Sequence, residues 1–253
     1  MKNMYMPGIL AMATVVVASN ILVQFLLGDW LTWGAFTYPI AFLITDVMNR
    51  TYGIAAARRI VLTGFIVGII CSLIGTQIML QGDGYTFPAV TIRVAIGSGL
   101  AFLIAQLLDV QIFDKLRSGT WWHAPLASTI IGSALDTILF FGIAFSTIFN
   151  WVDTTNTPDW AQSTIPLLGI GAELPLWMSL ALADWLIKLT LAVVALVPFR
   201  LLVQYLVVNP AKTHCLYIYL WHSGGIFKQL KGGDPVSRKV LENGVVTGLE
   251  GTL

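Results

Sequence analysis

The chain has 253 residues, 57% of them hydrophobic and only 11% charged, with a mean hydropathy of +0.80. A soluble domain carries about 25% charged residues, so this chain cannot cover itself with polar surface, and both a soluble globular enzyme and a disordered chain are excluded. The net charge of +1 creates no basic field, so nucleic acid is not an implied partner.

A membrane-spanning helix needs about 20 mostly apolar residues. Six runs qualify, at roughly 8–27, 33–49, 58–80, 89–113, 124–149 and 176–206. Residues 1–208 therefore read as an all-α membrane domain of six transmembrane helices. The first run is too long for a signal-peptide core and no A-x-A-like site follows it, so it reads as a retained span. The second is short and holds Pro39; the fourth and sixth are long enough to tilt or to extend along the interface. The connection 150–175 carries Trp151, Trp160, Pro158 and Pro166, and reads either as a cover over a cavity mouth or as an interfacial loop. The segment 209–253 is Gly-rich and mixed in charge, and reads as a poorly ordered cytoplasmic tail. Its His214, Cys215 and His222 match no structural zinc spacing, and Cys71 and Cys215 lie in settings too different for a disulfide framework.

Basic residues fix the orientation. Arg50, Arg58, Arg59, Lys115, Arg117 and Arg200, together with Lys2 and the tail, place twelve of the fourteen Lys and Arg on one side. The other three connections contain no Lys or Arg, and their charged residues are Asp29, Asp83, Asp153, Asp159 and Glu173. The positive-inside rule then puts both termini in the cytoplasm.

A charge at the centre of a span costs about 2.5–3.5 kcal/mol even on lenient scales, so the ionisable residues inside the runs are the informative ones. Asp136 lies near the middle of the fifth run. Thr129, Ser133 and Asp136, flanked by Ser128 and Gly132, make one small polar face. That face reads as a binding wall, or as helix packing through small residues. Asp184 and Lys188 are one turn apart on the sixth run and share a face. At about 1.5 Å per residue they sit about 12 and 18 Å from the outer end, close to the depth of Asp136. They read as the polar wall of a cavity or as a structural ion pair. Arg93 stands near the outer end of the fourth run; it snorkels to the interface, lines an entrance, or pairs with Asp136 or Glu173. Asn20 and Gln24 share a face of the first run. Asp46 and Arg50 read as an anchoring salt bridge, with Gln106 and Asp109 in a second tier. Gly64, Gly68, Ser72 and Thr76 form a close-packing seam without chemistry. Polar groups on several helices near mid-depth suit a small polar solute held at the membrane centre. They do not suit an open channel, since no span repeats a ring of like charges.

No phosphate-binding G-x-x-x-x-G-K-[ST], H-E-x-x-H or G-x-S-x-G motif occurs, so no cofactor or metal is expected and the chain does not cradle ATP itself. The remaining enzyme reading is an intramembrane aspartyl hydrolase using Asp136 and Asp184. A carboxyl dyad needs a shared proton, and Lys188 beside Asp184 argues against it.

Three stretches carry a family resemblance. TWGAFTYPIAFLITDVMNRTYGIAAARRIV (32–61), RVAIGSGLAFLIAQLLDVQIFDKLR (93–117) and WWHAPLASTIIGSALDTILFFGIAF (121–145) resemble, in order, segments of the bacterial queuosine precursor transporters, also called the vitamin uptake transporter family. Asp184 and Lys188 match the Asp-x-x-x-Lys of that family's last span. The resemblance covers roughly 8–206; the connection 150–175 and the tail look longer than usual. It implies a multi-pass protein of the bacterial inner membrane, with a six-helix fold similar to substrate-binding subunits of energy-coupling factor importers. It further implies uptake of 7-deazaguanine precursors of queuosine: the nitrile preQ0, the aminomethyl preQ1 or the base queuine. Whether such a chain works alone, as a homo-oligomer, or as the binding subunit of an importer with a partner ATPase stays open. For a deazapurine base, Asp136 is the candidate acceptor for the guanine-like N1–H and amine. Lys188, oriented by Asp184, is the candidate donor to O6. Asn20, Gln24 and Ser133 complete the hydrogen bonds, with Trp33, Phe140 and Trp185 to stack on the ring.

Overall fold

The computed structural model describes residues 5–22, 26–27, 31–37, 39–82 and 85–208. In chain order, α1 is Met6–Leu22, β1 Leu26–Leu27, β2 Leu31–Thr32, α2 Gly34–Thr37, α3 Pro39–Tyr52, α4 Ile54–Gln77, β3 Met79–Gly82, β4 Tyr85–Pro88, α5 Ile92–Leu116, α6 His123–Phe145, β5 Thr164–Pro166, β6 Glu173–Pro175 and α7 Leu176–Val208. Short 3-10 turns cover Thr147–Val152, Asp159–Gln162 and Leu167–Gly169. Gln24 and the tail 209–253 lie outside the described residues.

Among the described residues four helices, α4 to α7, are long and apolar enough to cross a bilayer. α1 has 17 residues and α3 has 14. At about 1.5 Å per residue they reach roughly 26 and 21 Å, against a hydrocarbon core of about 30 Å. The helical elements follow the six apolar runs, with shifted ends. α3 begins at Pro39, whose fixed φ and missing N–H suit a first helical position. Between α3 and α4 stands only Gly53, with φ +85°, a left-handed value that disfavours a side chain. That one-residue turn lets α4 start at Ile54 rather than near 58, so Arg58 and Arg59 are helical. The fifth run ends at Phe145 instead of reaching 149, because the chain leaves the helix at Ser146. α5 starts at Ile92, where the Thr91 hydroxyl accepts from the backbone N–H of Val94 at 3.3 Å.

The connections without Lys or Arg each form a small antiparallel hairpin: β1–β2, β3–β4 and β5–β6. Pairing satisfies backbone groups that a loop would leave bare at the lipid boundary. The sequence reading contained no strands. At the opposite end the basic residues gather: Arg50 donates to the Arg117 carbonyl, and Arg117 returns a bond to the Arg50 carbonyl at 3.4 Å.

α5 lies along α6, α4 lies against α1 and α5, and α7 lies against α6 and α3. Met12, Val16, Ala41, Met48, Ala57, Ile60, Val61, Phe102 and Val110 form the apolar core between α1, α3, α4 and α5. The glycine seam packs closely at Gly64, where a Cβ would stand 2.7 Å from Met12 Cγ and 3.0 Å from Phe102 Cζ, while Thr76 at its end gives its exposed hydroxyl to the Leu73 carbonyl. The outward face of α7, with Val193, Val194, Val197 and Leu201, is exposed and apolar. That is the surface expected of a helix that meets lipid rather than water.

Candidate functional site

α6 carries a stripe of small and polar residues, Ser128, Thr129, Gly132, Ser133, Asp136 and Thr137, all buried. Its two rows, Ser128, Gly132, Asp136 and Thr129, Ser133, Thr137, each step by four residues, so the stripe faces the neighbouring helices throughout its length. It meets two clusters, one near its middle and one towards the basic end.

The middle cluster joins α6 to α7. Lys188 Nζ donates to Asp136 Oδ2 at 2.8 Å and to Thr137 Oγ1 at 3.1 Å, and lies 2.5 Å from Asp184 Oδ2. Thr137 in turn donates to Asp184 Oδ2 at 3.0 Å. The side chains of Lys188 and Asp136 are each 5% exposed. One ammonium thus binds two carboxylates, and the Thr137 hydroxyl accepts from one partner while donating to the other. Such a closed set limits the cost of keeping charge away from water. It also supplies a donor and an acceptor side by side. As an acid dyad it fails, because the ammonium, not a proton, joins the two carboxylates.

The other predicted site residues are not all brought to this cluster. Ser133 is buried one turn away, with its hydroxyl on the Ile130 carbonyl at 3.2 Å. Asn20 is half-buried and gives its amide to the Val16 carbonyl of its own helix at 2.8 Å. Its neighbour Ser19 makes the link to another element, a 3.0 Å bond with Thr37 of α2. Trp33 is 48% exposed and leans on Phe36. Phe140 belongs to an aromatic group with Phe141 and Phe145, which Trp160 joins through Phe145. Trp185 follows Asp184 directly, and its indole N–H is buried without an acceptor among the described residues.

Arg93 corrects the sequence reading. It neither snorkels nor pairs with Asp136 or Glu173. It is fully buried and fastens the end of α6. Nε and Nη2 donate to the Ile143 carbonyl at 3.2 and 3.0 Å, Nη2 to the Ser146 carbonyl at 2.6 Å, and Nη1 to Asn150 Oδ1 at 2.7 Å. The last carbonyls of a helix have no partner within it and carry partial negative charge, so a guanidinium is a fitting cap.

The cluster towards the basic end was not foreseen as such. Asp46 does not bridge to Arg50, whose guanidinium goes to the Arg117 backbone. It turns instead to α6, where Ser128 and Thr129 donate to it over long distances of 3.5 and 3.4 Å, and it faces Asp109 of α5. Thr45 donates to Gln106 Oε1 at 2.8 Å, and Asn49 donates to the Val110 carbonyl at 2.9 Å. Gln106 and Asp109, taken as second-tier residues, are fully buried. A signal existed: two polar residues three apart within an apolar run, level with Asp46 on the neighbouring helix. A crevice of about 10 Å³ beside Asp46 and Thr129, lined also by Phe42, Pro125, Ala192 and Phe199, has room for about one water molecule.

Among the described residues no three His, Cys, Asp or Glu side chains converge as metal ligands. His214, Cys215 and His222 fall outside them.

Apolar helices enclosing a charged network between them define a multi-pass membrane protein. The family model described as "Putative vitamin uptake transporter" matches residues 32–203, and the chain belongs to that family. It is similar to the "Queuosine precursor transporter" of Escherichia coli (strain K12), 36% identical over 73% of this chain and 79% of the relative. It is similar also to the "Probable queuosine precursor transporter" of Haemophilus influenzae, 34% identical over 66% of each chain. That of Bacillus subtilis is 33% identical over 49% of this chain and 60% of the relative. No solved structure matches.

Proposed function

We propose that this chain takes up queuosine precursors, 7-deazaguanine bases such as preQ0, preQ1 or queuine, across the bacterial inner membrane. It does so through six spans with both termini in the cytoplasm. The names of its relatives support the substrate class. The partition of Lys and Arg supports the orientation. The observation that carries the reading is the buried bond between Asp136 and Lys188.

A guanine-like edge presents N1–H and an exocyclic amine next to O6. Inserted between the two side chains, it replaces their direct bond with bonds to both: Asp136 accepts from N1–H and the amine, and Lys188 donates to O6. Asp184 and Thr137 hold the ammonium during the exchange. The indole N–H of Trp185 offers one more donor, and its ring a stacking face. Without a base the pair satisfies itself, so the empty site does not leave bare charges in a dry interior. Adenine presents the opposite pattern on that edge. Each buried group it left unpaired would cost about 1–3 kcal/mol, which gives strong rejection.

The test is uptake by Asp136→Asn in a precursor-auxotrophic host that lacks coupling factors, scored by queuosine in tRNA. Wild-type rescue with loss in the variant, at equal membrane levels, supports the assignment. Normal rescue by the variant removes Asp136 from the site. Wild-type rescue that appears only with coupling factors makes the chain the binding subunit of an importer instead.

A further inference from the structure

The cluster at the basic end has a chemistry of its own. Thr129 and Asp136 are seven residues apart on α6, about 10 Å at about 1.5 Å per residue, so it is distinct from the Asp136–Lys188 site. Asp46 and Asp109 are both buried, Asp109 completely. Close approach fixes Asp109 against α6: a Cβ on Gly132 would lie 3.2 Å from Asp109 Cβ. Yet among the described residues neither oxygen of Asp109 has a partner at hydrogen-bond distance, although the Ser128 hydroxyl and the Asp46 carboxyl lie close enough to act on it, and the amide nitrogen of Gln106, one turn earlier, finds no acceptor.

Among the described residues no cation forms a salt bridge with either member of the pair. On α3, Arg50 is committed to the Arg117 carbonyl. On α5, Arg117 is bound to Asp114 at 3.2 Å, and Lys115 is exposed. His123 of α6 and Arg58 and Arg59 of α4 are exposed, and Arg200 of α7 lies over the Trp121 ring. The part of α7 that lines the crevice beside Asp46 brings Ala192, Ala195, Leu196 and Phe199, and Lys188, one turn earlier, is bound to Asp136, Thr137 and Asp184. α1 and α2 contain no titratable residue.

Two ionised carboxylates are acceptors only and cannot bond to each other. Two acids in a dry site without a cation do not both ionise. The donor missing at Asp109 is then a proton carried by Asp46, or the reverse.

We propose that Asp46 and Asp109 form a proton-binding site that holds one proton between them, loaded and released in each transport cycle together with the base. The proton forms an O–H bond to one carboxyl oxygen and leaves to water at the basic end. The crevice beside Asp46 and Thr129 has room for about one water molecule that could take up or give the proton. The role in coupling rests on the uptake reading above; the shared proton does not.

Two measurements test this. Infrared spectra of the purified protein at neutral pH should contain the C=O stretch of a protonated carboxyl, absent from Asp109→Asn. That variant keeps the shape and lets the new amide donate to Asp46, so it replaces the proton. In proteoliposomes, one pH unit, acid outside, should drive about tenfold accumulation of labelled preQ0 or preQ1 at one proton per base. Asp109→Asn should exchange base across the membrane without accumulating it. A missing band, a band that survives in Asp109→Asn, accumulation indifferent to the pH gradient, or accumulation driven by sodium alone would overturn the proposal. Vesicles that carry no base while the band behaves as stated would sink the substrate reading and leave the proton site standing.

Discussion

Lys188→Met isolates the physics of the central network. Methionine nearly matches lysine in length but removes the charge, deleting the 2.8 Å bond to Asp136, the 3.1 Å bond to Thr137 and the 2.5 Å contact with Asp184. Two carboxylates then face each other without a cation. Breaking a buried pair from one side costs about 3–5 kcal/mol. At roughly 2–4 °C per kcal/mol for a chain of this size, the loss is on the order of 10 °C in Tm. Asp136→Asn behaves differently. It keeps an accepting oxygen for Lys188 and removes one of two like charges, so stability stays within about 1 kcal/mol of wild type while uptake is lost. The double variant Asp136→Asn, Lys188→Met should recover part of the loss of Lys188→Met, since one of the stranded charges is gone. The assay is thermal unfolding in detergent followed by tryptophan fluorescence, beside uptake at matched membrane levels. If Lys188→Met is as stable as wild type, or the double variant is no better than Lys188→Met, the buried-pair argument is wrong.

Three further outcomes are expected. Arg93→Ala frees the Ile143 and Ser146 carbonyls and Asn150, and should cost about 2–5 kcal/mol, seen as faster proteolysis of residues 146–163 than in wild type. Gly132→Val forces side-chain atoms beyond a Cβ that would already sit 3.1 Å from Phe42 Cε1 and 3.2 Å from Asp109 Cβ; separation of α5 from α6 should cost about 1–3 kcal/mol in the same unfolding assay. Burial pushes the Asp153 carboxyl up, but bonds from Thr155 and Asn156 outweigh it and hold the group below its ordinary value. Its contribution is therefore present above the unfolded value, roughly 3.9, and fades as pH falls through the folded one. Protease sensitivity of the 153–157 turn should rise in strong acid, and Asp153→Asn should flatten that response.

The central network was legible because charges inside apolar runs are costly, and a spacing of four residues puts Asp184 and Lys188 on one face. Their meeting with Asp136 follows from similar depth on two helices. Arg93 was misread because its partners are backbone carbonyls and the uncharged Asn150 side chain, which no charge pattern in the sequence marks. Asp46 was misread for a different reason: the spacing to Arg50 fits a salt bridge within one helix, but helix packing turned Asp46 towards α5 and α6. Apolar runs showed where the helices lie, while their ends depended on local turns such as Gly53. The hairpins were missed although Gly82-Asp83-Gly84 is a turn signal.

The segment between α6 and α7 has moorings on three helices. Arg93 of α5 holds Asn150, the Phe145 carbonyl of α6 takes the Gln162 amide at 2.5 Å, and Ser179 of α7 accepts from the Leu168 N–H at 3.2 Å. At its tip Ile170 is 95% exposed, and Trp151 and Trp160 are exposed along its length. Indole rings favour the headgroup layer; we propose that this segment rests on the membrane like an outrigger rather than swinging as a door. On that reading, admitting a solute from that side would require the three helices to shift against one another, with the segment carried along.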